Sequence, residues 1–137
     1  MNITLTIIKP LAVKRGNIGS ILAMINKAGF TITAMKYTKL SKEQAEVFYQ
    51  VHKDKFFYND LVEYMSSGPI VAAILKKENA VKGFRKLIGN TNPEKAEEGT
   101  IRKLFAQSVL ENAVHGSDSE KNAIIESDFF FLRAERY

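Results

Sequence analysis

Six consecutive apolar residues, Ile70-Val71-Ala72-Ala73-Ile74-Leu75, lie between the breaker Ser66-Ser67-Gly68-Pro69 and the charged pair Lys76-Lys77. Successive side chains of a strand point to opposite faces, so a strand without polar alternation needs cover on both sides. The run therefore predicts an interior strand of a sheet with helices packed over it. Ile3–Ile8 alternates and then stays apolar, which predicts a first strand ended by Pro10. Ile18, Ile21, Leu22, Ile25 and Ala28 recur at three- and four-residue spacing, predicting a helix over Asn17–Ala28 closed by Gly29. Thr31–Leu40 is rich in β-branched residues and reads as a strand, and Ser41 with Gln44 has the form of a capping box. Further helices are predicted over Phe57–Met65, Asn79–Leu87 and from a cap at Ser117 or Asp118 to about Ser127, with a loop over residues 89–101. The order, with its split crossover, predicts an α/β (α+β) fold: a ferredoxin-like sandwich whose four-stranded antiparallel sheet is covered by helices.

A chain of 137 residues without repeats or low-complexity linkers predicts one domain over 1–137. No apolar run approaches the roughly 18 residues of a membrane span. The start Met1-Asn2-Ile3-Thr4 lacks the basic segment of a signal peptide, and zero cysteines exclude disulfides and thiolate metal sites. A cytoplasmic protein is expected. Twenty basic against fifteen acidic residues give a net charge of +5, compatible with phosphorylated ligands. The positive charges are scattered, and Lys76-Lys77 is the only adjacent pair of lysines, so a small anion suits the chain better than nucleic acid.

One segment concentrates reactive chemistry. Asn112-Ala113-Val114-His115-Gly116-Ser117-Asp118-Ser119 places one of only two histidines after an apolar run and before small polar residues. A lone histidine is ordinarily a surface or hydrogen-bonded core residue. Here Gly116 removes a side chain beside the ring, and the following helix start favours an anion nearby. Glu126, about two turns into that helix, is placed to hold one ring nitrogen and fix the tautomer. Neutral imidazole is a nucleophile, and a phosphoryl group is a natural cargo. His52 lies in a polar stretch between helices and reads as a solvated loop residue; no protein-built zinc site is expected.

Lys9, Arg85 and Arg102 are separate cations that would cage a polyphosphate if the fold brought them to His115, with Thr91 and Asn112 adding neutral hydrogen bonds. Phe57 is ordinarily a core anchor, and beside a phosphate cage it would stack any base. Gly16-Asn17-Ile18-Gly19 has the G-x-x-G spacing of an RNA clamp but is more simply a turn opening a helix. Phe129-Phe130-Phe131-Leu132 reads as core or subunit interface.

Together these pieces resemble the nucleoside diphosphate kinase family. The likeness rests on Ile8-Lys9-Pro10 with Arg15-Gly16, Phe48-Tyr49 before Phe57, Met65-Ser66-Ser67-Gly68-Pro69, Gly89-Asn90-Thr91-Asn92-Pro93, Gly99-Thr100-Ile101-Arg102 and the segment from Asn112 to Ser119. The resemblance implies a ping-pong transfer of the γ-phosphate between nucleotides through phosphohistidine at His115. It further implies that Lys9 and Asn112 hold the ribose, with Lys9 also reaching the phosphates. Arg85, Thr91 and Arg102 would bind phosphates, Tyr49 would touch the transferring group or the histidine, and Glu126, supported by Ser117, would orient the ring. Phe57 would stack on the base opposite Val109, with Leu61 nearby. Mg²⁺ would ride on the nucleotide, with Asp118 reaching it through water, and the chain would form a homo-oligomer, tetramer or hexamer. A cation cage and a base-indifferent aromatic agree with such chemistry, which needs positioning and dispersed positive charge.

Three positions depart from the family pattern. Leu11 replaces an acidic residue, Phe56 a proline, and Ser127 an aliphatic residue; effects on stability or nucleotide affinity are expected rather than loss of activity. Two competing readings are a nucleic-acid-binding domain, which would bind oligonucleotides without using His115, and a structural subunit that has lost catalysis. The intact set from Lys9 to Glu126 opposes the second.

Overall fold

In the computed structural model, which describes residues 2–137, the elements in chain order are β1 (Ile3–Ile8), α1 (Pro10–Lys14), α2 (Ile18–Lys27), β2 (Thr31–Thr38), α3 (Lys42–Phe48), α4 (Tyr58–Met65), β3 (Ile70–Lys76), α5 (Ala80–Ile88), α6 (Ile101–Phe105), β4 (Val114–Gly116) and α7 (Glu120–Phe130). The four strands form one sheet in the order β2-β3-β1-β4, with every neighbouring pair antiparallel. That is the expected ferredoxin-like arrangement, in which β3 separates β1 from β2.

The alternation of β3 explains its unbroken apolar run. Ile70, Ala72 and Ile74 enter one core with Leu5, Ile7, Leu61, Met65 and Phe130. Val71, Ala73 and Leu75 enter a second core on the other face, with Ile21, Ile25, Phe84 and Ile88. Helices α3, α4 and α7 thus cover one face of the sheet and α2 and α5 the other. The capping box at Ser41 forms with both of its hydrogen bonds. Gly16 takes φ +76° in the turn before α2 while Gly19 lies inside that helix, so this spacing is a helix-opening turn.

Several boundaries differ from expectation for physical reasons. Pro10 ends β1 but also opens α1, since its fixed φ and missing N–H suit a first helical position. The 89–101 loop contains a 3₁₀ turn at Pro93–Lys95 and passes into α6 through a cap at Thr100. Helix α7 is capped by Ser119, whose hydroxyl accepts from the Asn122 amide, and not by Ser117 or Asp118. Ser117 is unavailable because its backbone and hydroxyl are both bonded to β1. The Phe129–Leu132 run divides: Phe130 and Phe131 are buried, and Leu132 is exposed.

Candidate active site

The edge strand β4 lies beside the interior strand β1, with Ile7 opposite His115 and Ile8 opposite Val114. Residues just beyond the pairing therefore meet. Lys9 follows β1 and Asn112 precedes β4, and the Lys9 ammonium donates to Asn112 Oδ1 at 2.7 Å. Between Asn112 and the strand, Ala113 has φ +75°, a left-handed backbone that costs a residue with a Cβ about 1–2 kcal/mol. Lys9 N–H donates to the Ala113 carbonyl, which helps hold that bend.

The His115 side chain lies on the face covered by α3, α4 and α7. Its Nε2 is 2.7 Å from Glu126 Oε1, as expected from the spacing along α7. Ser117 Oγ donates to the same carboxylate oxygen at 2.7 Å. That hydroxyl can donate there because it accepts from the Leu5 amide at 3.1 Å. An ionised carboxylate only accepts, so Nε2 carries the proton and the lone pair lies on Nδ1. The phenyl edge of Phe48 (5.6 Å between ring centres) and the Tyr49 ring (6.4 Å) wall the imidazole. The Tyr49 hydroxyl is buried without a partner, and burial beside the Glu126 carboxylate and Tyr64 pushes its phenol well above the ordinary value.

The cations gather at the same end of the sheet. Lys9 is only 6% exposed, and its burial, with the Arg102 guanidinium nearby, brings its pKa down to about 7. Arg102 donates from its two terminal nitrogens to the carbonyls of Gly89 and of Val114, the residue before His115. Its pKa falls to about 10, through burial and the neighbouring Arg85. The expected planar fork is thus partly spent as a brace, and Nε is buried and unpaired. Gly89 serves this brace: its φ is +87°, and a Cβ there would stand 2.6 Å from Thr100 Oγ1. Arg85, Thr91 and Arg102 line one open cleft, joined by Lys86 and Lys95, which the sequence reading did not single out.

On the remaining side, Phe57 precedes α4 and packs half-buried beside buried Leu61, while Val109 is exposed in the turn before Asn112. His52 is not a freely solvated loop residue. It lies half-buried in a 3₁₀ turn, its ring stacked against Tyr49 and tilted against Phe57. Gly116 also differs from expectation. It faces the opposite core, where a Cβ would come within 3.0 Å of Ile88 and Phe84, so close packing against α5 is its role and not ligand approach. Asp118 is exposed and accepts from the Asn122 side chain. The sequence marks Phe48 only as part of a motif and not as a wall of the imidazole, and the Leu5 amide carries no motif signal. The run of the chain beside β1 places Ser117 at the Leu5 amide.

Residues 2–136 match the family model for nucleoside diphosphate kinase. The chain belongs to the nucleoside diphosphate kinase family. It is 59% identical to the nucleoside diphosphate kinase of Chlorobaculum tepidum over 98% of this chain and 96% of that protein. It is 57% identical to that of Lawsonia intracellularis over 99% of each. Among solved structures, the Aquifex aeolicus nucleoside diphosphate kinase superposes with TM-score 0.96 at 41% identity, covering 98% of both chains. The Halobacterium salinarum enzyme in complex with CDP gives 0.94 at 32%, covering 98% of this chain and 90% of that one. Like its family, the chain is a phosphotransferase acting between nucleotides. Among the described residues no helix is long and apolar enough to cross a membrane.

Proposed function

We propose that this nucleoside diphosphate kinase works by a ping-pong cycle with His115 as the phosphate carrier. In the first half-reaction His115 Nδ1 bonds to the γ-phosphorus of a nucleoside triphosphate. The bond from phosphorus to the β-bridging oxygen breaks, and the diphosphate leaves with that electron pair. The ring, phosphorylated on Nδ1 and protonated on Nε2, becomes cationic beside the Glu126 carboxylate. A second diphosphate then takes the phosphoryl group by the reverse step. The observation that carries this reading is the 2.7 Å contact from Nε2 to Glu126, which directs the nucleophilic lone pair to Nδ1.

Ser117 orients Glu126, and Tyr49 contacts the histidine or the transferring group. Arg85, Thr91 and Arg102 bind phosphates, Lys9 and Asn112 hold the ribose with Lys9 also reaching the phosphates, and Phe57, Leu61 and Val109 receive the base. Mg²⁺ would come with the nucleotide phosphates and offset their charge, and Asp118 would reach it through water. Among the described residues no three His, Asp or Glu side chains cluster as a metal-holding group.

We also infer one domain over 1–137, a cytoplasmic location suited to a chain without cysteine, and a homo-oligomer, tetramer or hexamer. The exposed edge strand β2, presenting Met35 and Tyr37, supports association, and sedimentation would give the mass. Nucleic acid is not its main ligand. The test of the carrier is incubation with ATP labelled on the γ-phosphate. The protein should acquire an acid-labile, base-stable label, and His115→Ala should stay unlabelled. Equal labelling of both would remove His115 from this role.

A further inference from the structure

We propose that Phe56 is a specificity-determining residue that favours purine over pyrimidine nucleotides. The inference rests on the assignment of Phe57 to the base. Phe57 is backed on one flank by a run of rings reaching the nucleophile. His52 lies 5.5 Å from it, Tyr49 stacks on His52 at 6.4 Å, and Tyr49 stands edge-on to His115. On another flank Phe56 meets Phe57 edge-on, with ring centres 5.5 Å apart and planes at 84°. Unlike the backing rings, Phe56 is 97% exposed. It contributes almost nothing to the core, and its exposed ring adds apolar area beside Phe57.

A six-membered pyrimidine is covered by one phenyl ring. The fused second ring of a purine projects beyond that ring and has further apolar area to place. Phe56 supplies it at one flank, so contact with Phe56 adds to purine binding and adds little to pyrimidine binding. An aromatic pair of this kind changes affinity by about twofold to tenfold. Phe57 itself, stacking on whichever base is present, supplies the tolerance, and Phe56 supplies the bias.

The test is equilibrium binding of GDP and CDP, by calorimetry, to the wild type, Phe56→Ala and Phe56→Tyr. The expected result is a GDP affinity lowered about twofold to tenfold by Phe56→Ala, a smaller change for CDP, and a GDP-to-CDP ratio restored by Phe56→Tyr. Equal changes for both nucleotides, or none, would overturn the proposal. So would a change of sedimenting mass in Phe56→Ala with the ratio intact, since the ring would then be covered by a second copy of the chain. Phosphoenzyme formation is followed in the same preparations. Its failure would count against His115 alone, and an unaltered ratio beside normal labelling would count against Phe56 alone.

Discussion

Replacing Glu126 by glutamine removes a charge and little else, because the amide keeps the size of the side chain and one accepting oxygen. In the wild type Glu126 Oε1 accepts from both His115 and Ser117 at 2.7 Å, and the His115 and Glu126 side chains are 17% and 16% exposed. In the proposed cycle the positive charge that builds on the ring during attack therefore meets the carboxylate in a poorly hydrated place. A hydrogen bond to a charged group contributes about 1.5–3 kcal/mol. At about 1.4 kcal/mol per factor of ten, Glu126→Gln should slow phosphoenzyme formation by about 10- to 150-fold. Rapid-quench measurement of the labelled protein after mixing with ATP gives that rate directly. Melting temperature separates a charge effect from a structural one. Glu126→Gln should melt close to wild type, whereas Ser117→Ala leaves the buried Leu5 amide without its acceptor and should lose about 1–3 kcal/mol of stability as well as rate. Asp128→Asn, on the exposed side of the same helix in a pair with Arg136, should change neither. A Glu126→Gln rate within twofold of wild type would refute the reasoning, as would a slow variant whose melting falls in parallel.

Three other perturbations follow from particular contacts. Lys9, with its pKa near 7 in the free protein, should regain its proton when a polyphosphate binds, so nucleotide binding at pH 8 should take up about one proton and weaken as pH rises further. Calorimetry in buffers of different ionisation enthalpy measures the uptake, and Lys9→Met should abolish it. The folded pKa of Lys9 also lies below its unfolded value of 10.5, so between these limits the unfolded chain binds more protons. Lys9 thus makes the free protein more stable as pH rises from about 7 to about 10, visible as the difference in melting between wild type and Lys9→Met. Gly116→Ala drives a Cβ to within 3.0 Å of Ile88 and Phe84 and should cost about 1–3 kcal/mol in a denaturation curve. Ser127→Ala removes a buried hydroxyl that has no partner and should stabilise by about 1 kcal/mol, read in the same curve.

The parts of the fold legible in the sequence are those whose period has room to repeat. Ile70–Leu75 identified an interior strand because two faces had to be filled, and the two cores fill them. The spacing through Ile18, Ile21 and Ile25 marked α2 to within a residue at each end. Helices α1 and α6 span only five residues each, less than two turns, so no apolar stripe can announce them. The cap of α7 was misplaced for another reason. Ser117, Asp118 and Ser119 are equally able to cap by type, and the choice of Ser119 follows from a strand pairing that commits Ser117 to Leu5. Gly116 shows the same limit, since its role is assigned by Ile88 and Phe84, which are distant in sequence.

That limit bears on how the site is divided. The proposed nucleophile is held by a chain of contacts that starts in the main chain of a central strand, from the Leu5 amide to Ser117, Glu126 and His115. Every link is part-buried or buried, so the direction of Nδ1 is set before any ligand arrives. The cation cage is built differently. Arg102 is fixed through backbone carbonyls, but Arg85 and Thr91 are exposed at the rim of an open cleft. A carrier that serves two nucleotides in turn needs a fixed aim, because the attacking atom must meet phosphorus in line in both half-reactions. The rim needs only to gather charge around whichever phosphates enter, and exposed cations do so at small cost. Substitutions in the Leu5-to-His115 chain should therefore alter the rate of transfer, and substitutions at Arg85 or Thr91 should alter nucleotide affinity more than the rate. Burst kinetics of the two groups of variants would separate the two behaviours, and a loss of affinity alone in Ser117→Ala would contradict this division.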